Sequence, residues 1–288
     1  MHRNALAFLV ALAASVVLVS FWAASSGAAS KAPKYHRIIS LSPTVTEDLF
    51  AIGAGKQVIA VDQDSTYPAS APRTTLSGYT PNVEAIAGYH PDLVLISYNP
   101  SGFAAQLRSL GIKVVMEPAA ANLSQVYKQI LSIGNLTGRA SDAASVVSTM
   151  KMRMTEILAS VPPGHRHFRV YHELDPTYYS ATSSTFIGSI YKLFGFTNIA
   201  DAAGASGHTR YPQLSDEYIV SANPQIIVLA DTKCCSQSAA SVAKRAGWKG
   251  LNAVVHHRVV GVNDDIASRW GPRIVLFAAA VAKIAKNN

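Results

Sequence analysis

The sequence predicts an α/β protein of two lobes, each built on a parallel sheet, joined by one long rigid helix and separated by a ligand cleft. Three observations carry this expectation. Short apolar runs alternate with helical patterns along the body of the chain, as parallel strands require, because each crossover needs a helix to cover the sheet. One stretch is written twice: "PNVEAIAGYHPDLVLI" from Pro81 and "PQLSDEYIVSANPQIIVL" from Pro212 each place a proline seven residues after a glutamate and follow it with an apolar run. Between the copies, residues 141–160 run for 20 residues without Gly or Pro, with Val146, Val147, Met150, Met154, Ile157 and Leu158 recurring at helical spacing.

In chain order, the first residues read as an export leader. Arg3 is the only Lys, Arg, Asp or Glu before Lys31, residues 5–24 are uncharged and largely apolar, and Gly27, Ala28 and Ala29 offer the small side chains a signal peptidase accepts. The expected leader is residues 1–29. An uncleaved N-terminal anchor is the alternative, because the apolar run nears the roughly 20 residues that span a bilayer. No cysteine lies near the cleavage point, which excludes a lipid-anchored form.

"RIISL" (37–41) is the first expected strand, and "SPTVTEDLFAIG" the helix after it, opened by Ser42 and Pro43 and closed at Gly53. Strands follow at 58–62, 93–97 and 113–117, with a helix at 101–111. This first lobe covers 36–138 and the backbone helix 139–161. "VPPGHRH" stops that helix. The second lobe, 166–288, repeats the series with strands at 168–174, 226–230 and 258–262, a helix at 184–195 and a closing helix from "SRWGPRIV". "RIISLSP" parallels "RVYHELDP", and "LFAIG" parallels "YKLFG", so both lobes are expected to be Rossmann-like units. A 20-residue helix is ~30 Å long, about one lobe's width. The chain therefore crosses once, through something stiff, which predicts a small closure angle on ligand binding.

Composition narrows the function. The chain holds 25 Lys+Arg against 17 Asp+Glu, but the excess is scattered and "HRHFR" at 165–169 is its densest patch. Nucleic-acid binding calls for basic stripes with aromatics or a recognisable motif, and neither is present; the charge reads as solubility with some steering of an anionic ligand. No G-x-S-x-G elbow, H-E-x-x-H or P-loop is present, so no enzyme active site can be assembled. "GAGKQV" at 53–58 follows a helix rather than a strand and reads as a turn. His165, His167, His256 and His257 stand beside basic residues and read as solvated, whereas His172 and His208 are placed in loops that could reach the cleft. Cys234 and Cys235 are the only cysteines. Adjacent Cα atoms sit ~3.8 Å apart, below the usual disulfide range, so the pair reads as buried or strained at a strand end, or as a soft contact to a ligand or metal. No zinc spacing is available.

Aromatic residues cluster in the loops after the expected strands: Tyr79, Tyr98, Tyr178, Tyr179 and Tyr211. Tyrosine supplies a flat apolar face with a polar tip at low entropic cost. Five of them at the strand ends of two lobes point to a cleft for a large, partly flat ligand. Asp265 and Arg269 lie four residues apart before the last helix, as a local ion pair or as hydrogen-bonding groups for polar ligand substituents. Glu84 and Glu217, the acids of the duplicated stretch, each sit near a helix start, where the helix dipole favours a carboxylate.

Together these stretches resemble the helical-backbone family of extracytoplasmic substrate-binding proteins that deliver metal chelates to ABC importers. The resemblance is carried by "RIISLSPTVTEDLFAIG", "YTPNVEAIAGYHPDLVL", "LGIKVV", "YPQLSDEYIVSANPQIIVL" and "SRWGPRIV". It is nearest to the cobalamin-binding branch, with haem and ferric-siderophore receptors sharing the skeleton. It implies a ligand lying flat against Tyr79, Tyr98 and Tyr211, with Tyr178 or Tyr179 nearby, Pro43 as a first-lobe contact, and Asp265 and Arg269 meeting the ligand's side groups. It also implies that Glu84 and Glu217 dock into arginine pockets of the two permease subunits, one per lobe. The implied protein is a monomer outside the cytoplasm with no cofactor of its own and no nucleic-acid partner; the chelate is its cargo. Family tryptophans are tyrosines here, Asp64 stands at a site tyrosine, and "KCCSQ" replaces a glycine-rich loop. A membrane-tethered ligand sensor is the rival from another class.

Overall fold

The computed structural model describes residues 34–286; the expected leader at 1–29 lies outside the described residues. The chain runs β1 (Ile38–Leu41), α1 (Pro43–Ala51), β2 (Val58–Val61), α2 (Val83–Ala87), β3 (Leu93–Ile96), α3 (Phe103–Ser109), β4 (Lys113–Met116), α4 (Leu123–Thr137) and α5 (Ala140–Ala159). It continues through β5 (Arg169–Glu173), α6 (Phe186–Leu193), β6 (Thr197–Asn198), α7 (Ala200–Gly207), α8 (Asp216–Ala222), β7 (Ile226–Leu229) and α9 (Thr232–Cys235). The last elements are α10 (Ala239–Val242), α11 (Asn252–Val255), β8 (Val259–Gly261), α12 (Asp264–Ser268) and α13 (Ile274–Ala285).

Two parallel four-stranded sheets result, in the orders β2-β1-β3-β4 and β6-β5-β7-β8. Their strands are apolar on both faces because helices cover both. Residues alternate between faces with the period of two that a pleat imposes. Ile38, Leu93 and Leu95 of the first sheet, and Val170, Ile226 and Val228 of the second, belong to one continuous core with buried residues of α4, α5 and α13. Ile39, Leu41, Val94 and Ile96 form a separate outer cluster, and Tyr171, Ile227 and Leu229 another. The helix α5 buries Ala143, Val147, Met150 and Met154 and lies between α4 and α13, so it joins the two halves by packing as well as by connection.

The duplication reaches single hydrogen bonds. Arg37, just before β1, donates through Nε to the His90 carbonyl (2.9 Å) and through Nη2 to that of Tyr89 (2.7 Å), tying down the end of α2. Arg169, at the start of β5, binds the equivalent pair at the end of α8 with its donors exchanged, Nε to the Ala222 carbonyl and Nη2 to that of Asn223, both at 2.9 Å. His90 and Asn223 both take positive φ, 49° and 45°, before the proline that opens the next strand. Asp92 and Gln225 then accept the amides of Arg37 and Arg169, each at 3.0 Å.

Several boundaries differ from expectation. The closing helix begins at Ile274 rather than at Ser268, since Arg269 is extended and Pro272 interrupts the run, and a separate short helix, α12, ends at Ser268. The helices α4 and α7 and the two-residue strand β6 carry no strong sequence signal and were not anticipated. His172 corrects the loop placement expected for it. It lies inside β5, fully buried on the inner face, with Nδ1 2.6 Å from the Tyr191 hydroxyl. Burial lowers its pKa to about 3, so the ring is neutral and serves packing.

Candidate functional site

A parallel sheet delivers the C-terminal ends of all its strands to one edge. At that edge of the first sheet lies a cavity of about 320 Å³. The end of β1 and the start of α1 bring Ser42, Pro43 and Thr44 to it; the loops after β2 bring Asp62, Asp64, Gly78 and Tyr79; the loop after β3 brings Ser97 and Tyr98. Ser268, Arg269 and Trp270 close it from the second half of the chain. Tyr79 is 72 % exposed and Tyr98 55 %, with ring centroids 6.5 Å apart and planes inclined at 45°. Two large aromatic faces held beside a cavity and left open to solvent are surface that a ligand can cover. Behind them the Ser97 hydroxyl donates to Ser42 Oγ at 2.7 Å.

The structure therefore brings Pro43, Tyr79, Tyr98 and Arg269 to one cavity. Arg269 is nevertheless engaged through both terminal nitrogens. Its Nη1 donates to Glu47 Oε1 at 2.9 Å, and Nη2 to the Asp64 carbonyl (2.9 Å), Asp265 Oδ1 (3.0 Å) and Thr66 Oγ1 (3.3 Å). Asp265 receives Lys233 Nζ on its other oxygen at 3.0 Å. Arg273 adds two bonds to the same Glu47, at 2.8 and 2.5 Å, and lays its guanidinium over the Tyr67 ring at 4.0 Å. A buried glutamate of α1 is thus gripped by two arginines from beyond α12, which clamps the halves at the floor of the cleft. Glu47 and Arg273 were not singled out from the sequence; the available signal was an acid pair, Glu47–Asp48, within an otherwise apolar helix.

On the second sheet Tyr179 and Tyr211 are 41 % and 48 % exposed. They sit on neighbouring segments joined by the Tyr179–Gln213 bridge and by the Ser180 amide donating to the Pro212 carbonyl at 2.9 Å. Tyr178 is turned to packing instead, stacked on Trp248 at 5.7 Å with Arg245 against both rings. His208 caps the end of α7, away from the cavity. Cys234 and Cys235, expected as a buried or strained pair at a strand end, lie just after β7 but are not buried. They form a disulfide on α9, with Cys234 exposed and Cys235 half-buried. Among the described residues no group of three or more His, Cys, Asp or Glu could hold a metal ion.

Glu84 and Glu217 occupy the same place in their units. Each is the second residue of a short helix, after an N-cap that accepts the amide three residues on: Asn82 Oδ1 from Ala85 at 2.7 Å, Ser215 Oγ from Tyr218 at 3.1 Å. Arg37 and Arg169 hold the far ends of these helices at the strand-start edge, so both glutamates stand at the strand-end edge, exposed. Its own amide and the Ser215 hydroxyl lower the Glu217 pKa.

The periplasmic binding protein family model matches residues 38–266. The chain belongs to that family. It is 34% identical over 254 residues to the Bacillus subtilis (strain 168) protein named as the uncharacterized ABC transporter substrate-binding lipoprotein YvrC, covering 85% of this chain and 77% of that one. It is also 34% identical over 260 residues to the cobalamin-binding protein of Halobacterium salinarum, covering 88% of this chain and 70% of that one. A solved Staphylococcus epidermidis structure described as a possible iron-binding, periplasmic solute-binding protein superposes with a TM-score of 0.74 at 30% identity, covering 87% of this chain and 98% of that one. In this periplasmic binding protein the two sheets are the two lobes of the fold, and the Tyr79–Tyr98 cavity lies at the seam between them.

Proposed function

We propose that this periplasmic binding protein is the extracytoplasmic receptor of an ABC importer and captures a metal chelate, with cobalamin or a related corrinoid as first choice. The observation that carries the reading is the interlobe cavity walled by two exposed tyrosines, which suits a broad, flat, largely apolar molecule better than an ion or a sugar. Tyr179 and Tyr211 offer matching faces from the second lobe, and Pro43 a rigid contact beside Tyr79. Its 34% identity to a cobalamin-binding protein supports the same ligand class. The protein acts as a monomer that meets a permease dimer, with Glu84 and Glu217 each entering an arginine pocket on one subunit. The leader places it outside the cytoplasm, released or tethered. The chelate is cargo rather than a resident cofactor.

A second reading, haem or a ferric siderophore, draws on the tyrosine hydroxyls of the cleft, which can ligate iron, and on the structural relative described as possibly iron-binding. Visible absorbance separates the two. The purified protein, incubated with cobalamin, haemin or a ferric chelate and passed through a desalting column, is expected to retain the corrinoid band at one equivalent. Retention of haemin or the ferric chelate alone would move the assignment to the second reading, and a colourless protein in all three cases would overturn both.

A further inference from the structure

The cavity wall holds a buried acid that docking and aromatic contact leave without a role. Asp62 follows β2 directly, so its side chain is delivered to the strand-end edge, and it lines the cavity although the residue is only 1 % exposed. Its Oδ1 accepts the Asp64 amide at 3.0 Å, and the carboxyl also takes a hydrogen bond from the Ser65 hydroxyl. Its Oδ2 lies toward Gly78, where a Cβ would stand 3.3 Å from that oxygen and 2.5 Å from the Leu41 carbonyl. Glycine at 78 therefore lets the Tyr79 loop close onto β1 beside the acid.

The charges around this carboxyl are lopsided. Asp64 adds a second acid to the same wall. Arg269 is the arginine of that wall, and its donors already serve Glu47, Asp265, the Asp64 carbonyl and Thr66. Ser42 and Ser97 are bonded to each other. The wall thus holds two acids and one arginine already paired with acids, while the Trp270 Nε1–H is a neutral donor without a partner.

We propose that Asp62 is a specificity-determining residue of the cleft, accepting a hydrogen bond from an amide N–H on the rim of a neutral or cationic chelate and excluding chelates whose rim carries carboxylates. The inference rests on the reading that the cleft takes a metal chelate. A desolvated carboxylate that accepts an amide N–H gains a charge-assisted bond, whereas a second carboxylate brought beside it meets a like charge in a medium that screens poorly. Sites built around one hydrogen-bonding group reject analogues that lack it far more strongly than apolar pockets reject a missing methylene. Burial already holds the Asp62 pKa up at about 6, so the group gains from a donor and is further penalised by a neighbouring anion.

Two corrins with the same ring and metal supply the test: dicyanocobinamide, whose rim carries amides, and dicyanocobyrinic acid, whose rim carries carboxylates. Calorimetric titration of the wild-type protein at pH 7.5 is expected to favour the amide corrin by at least about tenfold, a ratio within what a single hydrogen-bonding group confers. Asp62→Asn, which can donate to a carboxylate, is expected to bring the ratio near unity by strengthening the acid corrin. Asp62→Ser serves as a second variant, and thermal unfolding of each checks that it folds. A wild-type ratio near unity, or a ratio unchanged in both variants, overturns the inference while leaving the chelate reading intact. A protein that binds neither corrin, haemin nor a ferric chelate overturns both.

Discussion

The two lobes share one edge and differ at the other. At the strand-start edge Arg37 and Arg169 bind the two equivalent carbonyls at the end of the same short helix, with Nε and Nη2 exchanged. Counting along the strands from that anchor pairs Leu41 with Glu173, and the sheet registers pair Ile96 with Leu229, hence Tyr98 with Asp231. At the strand-end edge, therefore, the first lobe presents an apolar residue and an exposed tyrosine where the second presents two acids. Those acids are sealed in. Glu173 is fully buried and forms two bonds with Arg245 at 2.5 and 2.6 Å, with the Tyr171 hydroxyl donating to it at 3.2 Å. Asp231, also buried beneath α9, has its pKa raised to about 7 by burial and by Glu173. The shared edge is what the fold requires of each copy, and the divergent edge is where the copies were free to specialise. The first lobe keeps an open aromatic face there, and the second holds an internal polar network.

The contrast is broken most severely by reversing the one feature that both strand-end edges keep. Glu84→Lys with Glu217→Lys is expected to abolish uptake of labelled chelate by cells or proteoliposomes, with each single reversal weakening docking by about 2–5 kcal/mol, the range for truncating a buried interfacial charge pair. Affinity for the free chelate should stay within about twofold, since both side chains point to solvent. Unequal single mutants would show that the lobes dock differently, and lost affinity would move the acids into the cleft.

Next in size is the effect that separates the two edges. Arg245→Met leaves Glu173 buried and unpaired and is expected to cost about 3–5 kcal/mol in denaturant unfolding. Tyr98→Ala, at the first-lobe position matching Asp231, removes an exposed ring. It should leave stability within about 0.5 kcal/mol and weaken the chelate by about 1–2 kcal/mol, as loss of an aromatic anchor does. If Arg245→Met were tolerated and Tyr98→Ala unfolded the protein, the contrast between an internal polar network and an open aromatic face would be reversed.

The shared edge was the legible one. Two glutamates each seven residues before a proline are a sequence pattern because the fold needs that turn in both copies, and the two parallel sheets and the linking helix follow it, with Glu84 and Glu217 at equivalent positions of α2 and α8. Exposed tyrosines after strands were legible as well, and Pro43, Tyr79 and Tyr98 do meet at one cavity. What tertiary packing alone decides was not. Nothing local distinguishes Tyr178, stacked on Trp248, from Tyr179 beside it in the open. Nor does local sequence reveal that Arg269 is engaged by Glu47, since the partners are 222 residues apart. Asp62 escaped notice because an acid after a strand resembles ordinary loop chemistry until its burial is known.

A further expected effect concerns that same Asp62, and its sign follows from its pKa. An unfolded aspartate titrates near 3.8, and burial raises the folded value to about 6. The folded state then binds the proton more tightly, so the group favours folding below pH ~4 and that contribution is lost as pH rises through about 6. Asp62→Asn removes the titration. The variant should match wild type near pH 4 and exceed it by about 1–3 kcal/mol above pH 7 in urea unfolding, because each tenfold difference in proton affinity between folded and unfolded chains is worth about 1.4 kcal/mol. Because Asp231 lies in the other lobe and titrates near 7, the wild-type curve keeps a second, later decline that the substitution leaves in place. A variant no more stable than wild type at neutral pH would mean that Asp62 is not held against the cost of burial, and its place in the cavity wall would need another cause. A gain in stability from removing a cleft acid is the pattern expected where a residue is retained for binding rather than for folding.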